Sequence, residues 1–170
     1  MALIRSVRGF TPKYGKNCFF AETATLIGDV IMGDDCSIWY SAVLRGDVNS
    51  IRMGNRVNVQ DGAVLHTLYE KSVIDIGESV SIGHNVVVHG AKIMDRVLVG
   101  IGAIILDHAV IGENSIIAAG ALIKDSEVVE ANSIYAGVPA VKIKEIDPAQ
   151  TREMIDKIAS NYLFYSDWYK

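Results

Sequence analysis

The chain predicts a mainly β fold: a parallel β-helix of hexapeptide repeats, closed by one C-terminal α-helix. Three observations predict it. From about residue 26 to residue 125 an aliphatic residue recurs every six positions, often followed by glycine. Every departure from six falls after the third member of a triplet. Helical spacing sets in only beyond residue 147. A period of six fits neither the 3.6 of a helix nor the alternation of a hairpin stack, whereas fixed-period self-similarity marks a solenoid.

The ladder reads in triplets, one triplet to a coil. Met32-Gly33, Ile38-Trp39 and Leu44-Arg45 come first, then Met53-Gly54, Val59-Gln60 and Leu65-His66. Ile76-Gly77, Ile82-Gly83 and Val88-His89 follow, then Ile93-Met94, Val99-Gly100 and Ile105-Leu106. Ile111-Gly112, Ile117-Ala118 and Ile123-Lys124 complete about five full coils. The aliphatic residues stack inward, and small residues such as Ala42, Val57, Ala63, Val80, Val86, Ala103, Ser115 and Ala121 allow tight corners. The step from Leu44 to Met53 is nine residues, from Leu65 to Ile76 eleven, and from Val88 to Ile93 five. All insertions therefore emerge at one edge of the prism, as expected of per-repeat insertions in a solenoid.

One domain accounts for 170 residues. Residues 1–25 form an N-terminal cap, 26–125 the repeat, 126–146 an irregular segment, and 147–170 the helical tail. In the tail, Asp147 is an N-cap, Pro148 takes the first helical position, and Gln150 stands where a capping box wants it. Met154, Ile155, Ile158, Tyr162 and Tyr165 give a helix of roughly 148–166 an apolar stripe that packs along the prism.

Half the residues are apolar and the net charge is -4 at pH 7, which leaves no electrostatic footprint for nucleic acid or an anionic membrane. The N-terminus lacks the apolar core of a secretory signal and no run reaches transmembrane length, so a soluble cytoplasmic protein is expected. Two cysteines, Cys18 and Cys36, make no disulfide framework and read as small buried thiols.

His66, His84 and His89 fall within 24 residues. His66 and His89 each follow the inward residue of a third hexapeptide, so both point outward and stack at the inter-strand spacing of roughly 4.8 Å. Two imidazoles so placed converge on one ion at about 2.0–2.1 Å. His84 precedes His89 by five residues, on the order of 16 Å of extended chain. A neighbouring subunit supplies it instead if three prisms pack in parallel about a threefold axis. Three histidines with an open fourth position describe a catalytic zinc site, and Fe(II) or Co(II) also suits three imidazoles. Arg45 occupies the slot of His66 one coil earlier, and Asp61 that of His84, which predicts an intersubunit Arg45–Asp61 ion pair. Gln60, beside Asp61, is placed to hydrogen-bond a metal-bound water. His108 has no such partner.

RGDVN (45–49), NVQDGAVLH (58–66) and SIGHNVVVHG (81–90) resemble the gamma-class carbonic anhydrases and their bacterial relatives over roughly residues 10–145. The resemblance implies a left-handed β-helix, a homotrimer and metal sites between subunits. It implies His66 and His89 as ligands from one chain and His84 from its neighbour. It also implies Arg45, Asp47 and Asp61 in an interface ion-pair network and Gln60 near the metal-bound water. Two positions depart from the family pattern: Val48 stands where a glutamate follows the Arg-x-Asp stretch, and Tyr69 where an acidic proton shuttle follows the first ligand. Glu70 is adjacent to the second. Asn161 and Tyr162 are candidates for the asparagine and tyrosine that act near the C-terminus in some members.

The expected activity is metal-dependent, reversible hydration of CO2 to bicarbonate, with zinc as the default ion. Two rivals follow from the same sequence. YAGVPAVKI (135–143) resembles the tail segment of hexapeptide acyl-CoA-dependent acyltransferases, where one histidine acts as general base. A catalytically weak, metal-binding trimeric scaffold is the other.

Overall fold

The computed structural model describes residues 1–169, and in it the hexapeptides wind into a three-faced parallel β-solenoid of about seven turns. Each face is a ladder of short parallel strands. The histidine face runs through Leu3–Arg5, the starts of Thr25–Met32 and Val43–Met53, then Val64–His66, Val87–His89, Ile104–Ile105 and Leu122–Ile123. A second face runs from Lys13–Tyr14 to Val128–Val129. The third runs from Phe19–Phe20 to Ser133–Gly137, and Ala140–Glu145 folds back antiparallel on that last strand.

Six-residue spacing becomes a core because in-register parallel pairing superposes the same slot of every rung. On the histidine face Ile4, Leu26, Leu44, Leu65, Val88, Ile105 and Ile123 stack in one column. From Leu26 to Ile123 all of them are fully buried. The glycines that follow inward residues sit where the next rung presses close: a Cβ at Gly54 would stand 2.8 Å from the carbonyl carbon of Gly77. One corner takes a left-handed backbone on every turn, at Asn17, Asp35, Arg56, Ser79, Arg96, Asn114 and Asn132. Asn and Asp tolerate that conformation because their short polar side chains bond locally.

The ladder is longer than the sequence reading gives it. Residues 1–25 carry a first rung, with Leu3–Arg5, Lys13–Tyr14 and Phe19–Phe20 each paired to the strand above, and Val128–Val129 and Ser133–Gly137 extend the coil beyond residue 125. About seven turns replace the expected five. The period of six in fact continues through Phe20 at one end and through Val129 and Tyr135 at the other. An aromatic ring in an aliphatic slot conceals it.

The helix spans Pro148–Asp167, with the Asp147 carboxylate accepting the Ala149 N–H at 2.9 Å. Its buried residues are Thr151, Ile155, Ala159 and Ser166; of the predicted stripe Ile155 is buried, and Tyr162 and Tyr165 pack half-buried against the cluster of Phe19, Ala21 and Trp39. Met154 is exposed, and the Thr151 hydroxyl, rather than Gln150, bonds back to Asp147, at its carbonyl. The stripe is small and partly polar because the face it covers is polar: Ser37, Asn58 and Ser81 form an outward ladder buried beneath the helix. Asn58 donates to Ser81 Oγ at 2.8 Å, and the Trp39 indole to Ser37 Oγ at 3.0 Å. No helix of the described residues is long and apolar enough to cross a membrane.

Candidate metal centre

His66 and His89 stack on neighbouring rungs in direct register. Their rings lie 5.2 Å apart, and His66 Nδ1 faces His89 Nε2 at 3.2 Å. Each ring is held from behind by a carboxylate. His66 Nε2 meets Asp47 Oδ1 at 3.3 Å, and His89 Nδ1 meets Asp107 Oδ2 at 2.7 Å. Both carboxylates are braced in turn. Arg45 Nη1 pairs with Asp47 Oδ2 at 2.6 Å, and the Ser72 hydroxyl donates to Asp107 Oδ1 at 2.5 Å.

This arrangement fixes the tautomers. An ionised carboxylate only accepts, so the outer nitrogen of each imidazole carries the proton and both inner nitrogens present lone pairs. Burial pushes Asp107 upward, but hydrogen bonds from Ser72 and His89 outweigh it and hold its carboxyl below the usual range. Burial also opposes ionisation of Asp47, and Arg45 outweighs it. His66 moves down, from burial first and then the Arg45 charge, so it is a neutral imidazole at pH 7. Two lone pairs 3.2 Å apart repel unless a cation lies between them. Two nitrogens of a tetrahedral zinc, each at about 2.0–2.1 Å, stand about 3.3 Å apart. The donor set fits a divalent metal.

One chain does not complete the set. Among its described residues no group of three His, Cys, Asp or Glu side chains could hold a metal ion. His84 instead pairs through Nδ1 with Asp61 Oδ2 at 2.9 Å, both about two-fifths exposed. It is a third imidazole oriented by a carboxylate, with Nε2 left as its lone pair. Asp61 thus bonds His84 and Arg45 bonds Asp47 within the chain. Gln60 is buried and donates from Nε2 to Asn58 Oδ1 at 3.0 Å.

A cavity of about 270 Å³ opens beside His84, lined by Trp39, Tyr40, Asp61, Tyr162 and Tyr165 among others. Tyr162 packs edge-on against Trp39 with centroids 5.4 Å apart. Burial, then the Asp61 charge, pushes its hydroxyl up to about 12. Of the two C-terminal candidates, Tyr162 lines this cavity and Asn161 does not. A second cavity of about 230 Å³ gathers Val48, Tyr69 and Glu70 beside Asp47. Arg8 joins them, donating to the Asp47 carbonyl at 3.4 Å and lying 5.4 Å over the Tyr69 ring.

Sequence reasoning missed Asp107, Ser72 and Arg8. Asp107 was findable, since the pairing of Val88 with Ile105 brings the residues just beyond it over His89 and Gly90. Arg8 gave no signal, because its rung does not keep the six-residue spacing. His108 is a corner residue with φ of 60°.

Stacked histidines on a hexapeptide solenoid define a class of protein, and comparison with known proteins narrows it. Residues 90–125 match the family model described as bacterial transferase hexapeptide (six repeats). The chain is 44% identical over 168 residues to a protein of Geobacillus kaustophilus named carbonic anhydrase, covering 99% of this chain and 91% of that one. It is 37% identical to Protein YrdA of Escherichia coli, covering 98% and 94%. Among solved structures, a hexapeptide transferase family protein from Anaplasma phagocytophilum superposes with a TM-score of 0.93 at 35% identity, covering 99% and 98%. The chain belongs to the gamma carbonic anhydrase-like family of hexapeptide-repeat proteins.

Proposed function

We propose that the protein catalyses reversible hydration of CO2 to bicarbonate at a metal held by His66 and His89 of one chain and His84 of the partner subunit in a homotrimer. The observation that carries this reading is the pair of carboxylate-backed imidazoles with facing lone pairs at 3.2 Å. A divalent metal bound there, zinc or alternatively Fe(II) or Co(II), supplies hydroxide at neutral pH by lowering the pKa of its water to roughly 7.

The chain's own groups do the rest. Asp47 and Asp107 hold the ligand rings in one tautomer and one orientation. Gln60, its amide fixed by Asn58, offers its carbonyl oxygen as an acceptor that orients a water proton. Between protomers Arg45 and Asp61 exchange their intrachain partners for each other. The aromatic wall beside His84 receives CO2 without hydrating it. Val48 and Tyr69 offer no carboxylate, so proton export falls to Glu70 or to buffer, and turnover depends on buffer concentration.

Stopped-flow hydration of CO2 by the Zn(II) protein, and by the Fe(II) protein kept anaerobic, tests the reading against His84→Ala. Metal-dependent hydration that the variant loses is the expected result. Three bound ions per trimer with no hydration would sink the anhydrase reading while leaving the metal site standing. The match to hexapeptide transferases keeps acyl transfer as the second reading. It requires one essential histidine and no metal, so activity that survives chelation and His84→Ala would favour it.

A further inference from the structure

The proposed hydration uses neither cysteine, yet the fold brings the two together far along the chain from the ligand histidines. Cys18 and Cys36 directly precede Phe19 and Ser37, which pair in register on the first two rungs. Hydrogen bonds pin that register on both sides: Asp35 N–H donates to the Lys16 carbonyl at 2.9 Å, and Phe19 N–H to the Cys36 carbonyl at 2.8 Å. In-register neighbours on adjacent strands lie roughly 4.8 Å apart, within the Cα separation of about 4.4–6.8 Å that a disulfide spans. Later rungs fill the same slot with Val57, Val80, Val97, Ser115 and Ser133. Sulfur is therefore not a packing requirement of the corner.

The two thiols differ in access and acidity. Cys36 is fully buried, whereas Cys18, on the end rung, reaches solvent. Each thiol faces a backbone carbonyl of the next rung, Cys18 Sγ donating to Gly33 and Cys36 Sγ to Gly54, both at 3.3 Å, and the neighbouring Cys36 side chain brings Cys18 down to about 7 against the opposing effect of burial. The neighbouring Cys18 side chain, then burial, pushes Cys36 up. One sulfur is a reachable nucleophile at neutral pH, and the other is a protonated thiol waiting behind it.

We propose that Cys18 and Cys36 form a peroxide-sensitive dithiol that closes reversibly into a disulfide across the first two rungs. The Cys18 thiolate attacks hydrogen peroxide, the O–O bond breaks, hydroxide leaves, and Cys18 becomes a sulfenic acid. The Cys36 sulfur then attacks the Cys18 sulfur and the S–O bond breaks. The thiol proton goes to the departing hydroxide as water. Two thiols and one peroxide give one disulfide and two waters. Closure ties the end rung, which has neighbours on one side only, to the rung above it.

Peptide mapping of the full chain tests this. Reduced protein is treated with equimolar hydrogen peroxide, alkylated with iodoacetamide under denaturing conditions, digested and analysed by mass spectrometry. Both thiols should vanish together, with a Cys18–Cys36 linked peptide and an intact mass lower by two hydrogens. Dithiothreitol should restore both, and the rate should rise through pH 7 as Cys18 ionises. Cys36→Ser should leave Cys18 as a sulfenic acid that dimedone captures, and Cys18→Ser should leave Cys36 unreacted. Serine already fills this slot at two later rungs, so both variants keep the fold. Cys18 oxidised to sulfinic acid while Cys36 stays free would overturn the proposal. So would two free thiols after glutathione in the same tube has been consumed.

Discussion

At the residue scale the defining feature is a carboxylate behind each imidazole. Asp107 shows what it contributes. Its grip on His89 Nδ1 at 2.7 Å decides which nitrogen keeps a lone pair. Asp107→Asn should therefore weaken zinc binding by about 10–100-fold, read by competition with a chromogenic chelator, while the far-ultraviolet dichroism stays unchanged. Unchanged zinc affinity would show that the ring is oriented by packing alone. Tyr162 provides a second test. Its neutral form is favoured in the fold, because burial and Asp61 raise its hydroxyl to about 12. An acid raised on folding binds more protons folded than unfolded across that interval, so stability declines as pH climbs from about 10 toward 12. Tyrosinate absorbance should show a late transition near pH 12 that Tyr162→Phe abolishes.

At the element scale the sequence disclosed the strands by one signal and the helix by another. Through the middle of the ladder, where the inward slot is aliphatic, as at Leu44, Leu65 and Val88, rung and face were both legible. Legibility stopped at Phe20 and Tyr135, where aromatic residues occupy the slot, and at the first rung, whose stretch from Ile4 to Tyr14 breaks the count. The helix start was read from Asp147 and Pro148, and of its buried stripe Ile155 was read and the small residues were not. Hydrophobicity pointed to Met154, which is exposed, and passed over Thr151, Ala159 and Ser166, because part of the surface to be covered is the polar ladder of Ser37, Asn58 and Ser81. Local pattern does not reveal what an element packs against. Asp147→Ala should cost about 1 kcal/mol through the lost cap. Ile155→Ala, at a fully buried site, should cost about 2–5 kcal/mol. Urea unfolding followed by dichroism at 222 nm measures both, and equal losses would mean that the helix contributes no core.

At the scale of the whole molecule a solenoid is held by neighbours above and below, so position along the axis sets the cost of a defect. Ile105, fully buried in a middle rung, and Ile4, partly exposed in the first, occupy the same column. Ile105→Ala should destabilise by about 2–5 kcal/mol. Ile4→Ala should cost well under half of that and show itself mainly as faster amide hydrogen exchange in Leu3–Arg5. Ranking the two variants the other way round would contradict a core stacked rung on rung. The site obeys the same geometry. The pairing of His66 with His89 was readable because it is a property of one column, while Arg8 and Asp107 enter from outside that column.

The edge where insertions emerge has a consequence for how such a chain can change. One residue added inside a rung turns every later inward side chain of that strand to the wrong face. The loop between Val64–His66 and Ile74–Ile76 meets no such restriction, and doubling a flexible loop costs only about 0.6 kcal/mol. Tyr69 and Glu70, which line the cavity next to Asp47, both sit on that loop. Reactivity is thus tied to the strands and selectivity to a length of chain that is freer to vary. A new substrate can be admitted by rewriting a few loop residues, with the histidine pair and the core beneath it left untouched.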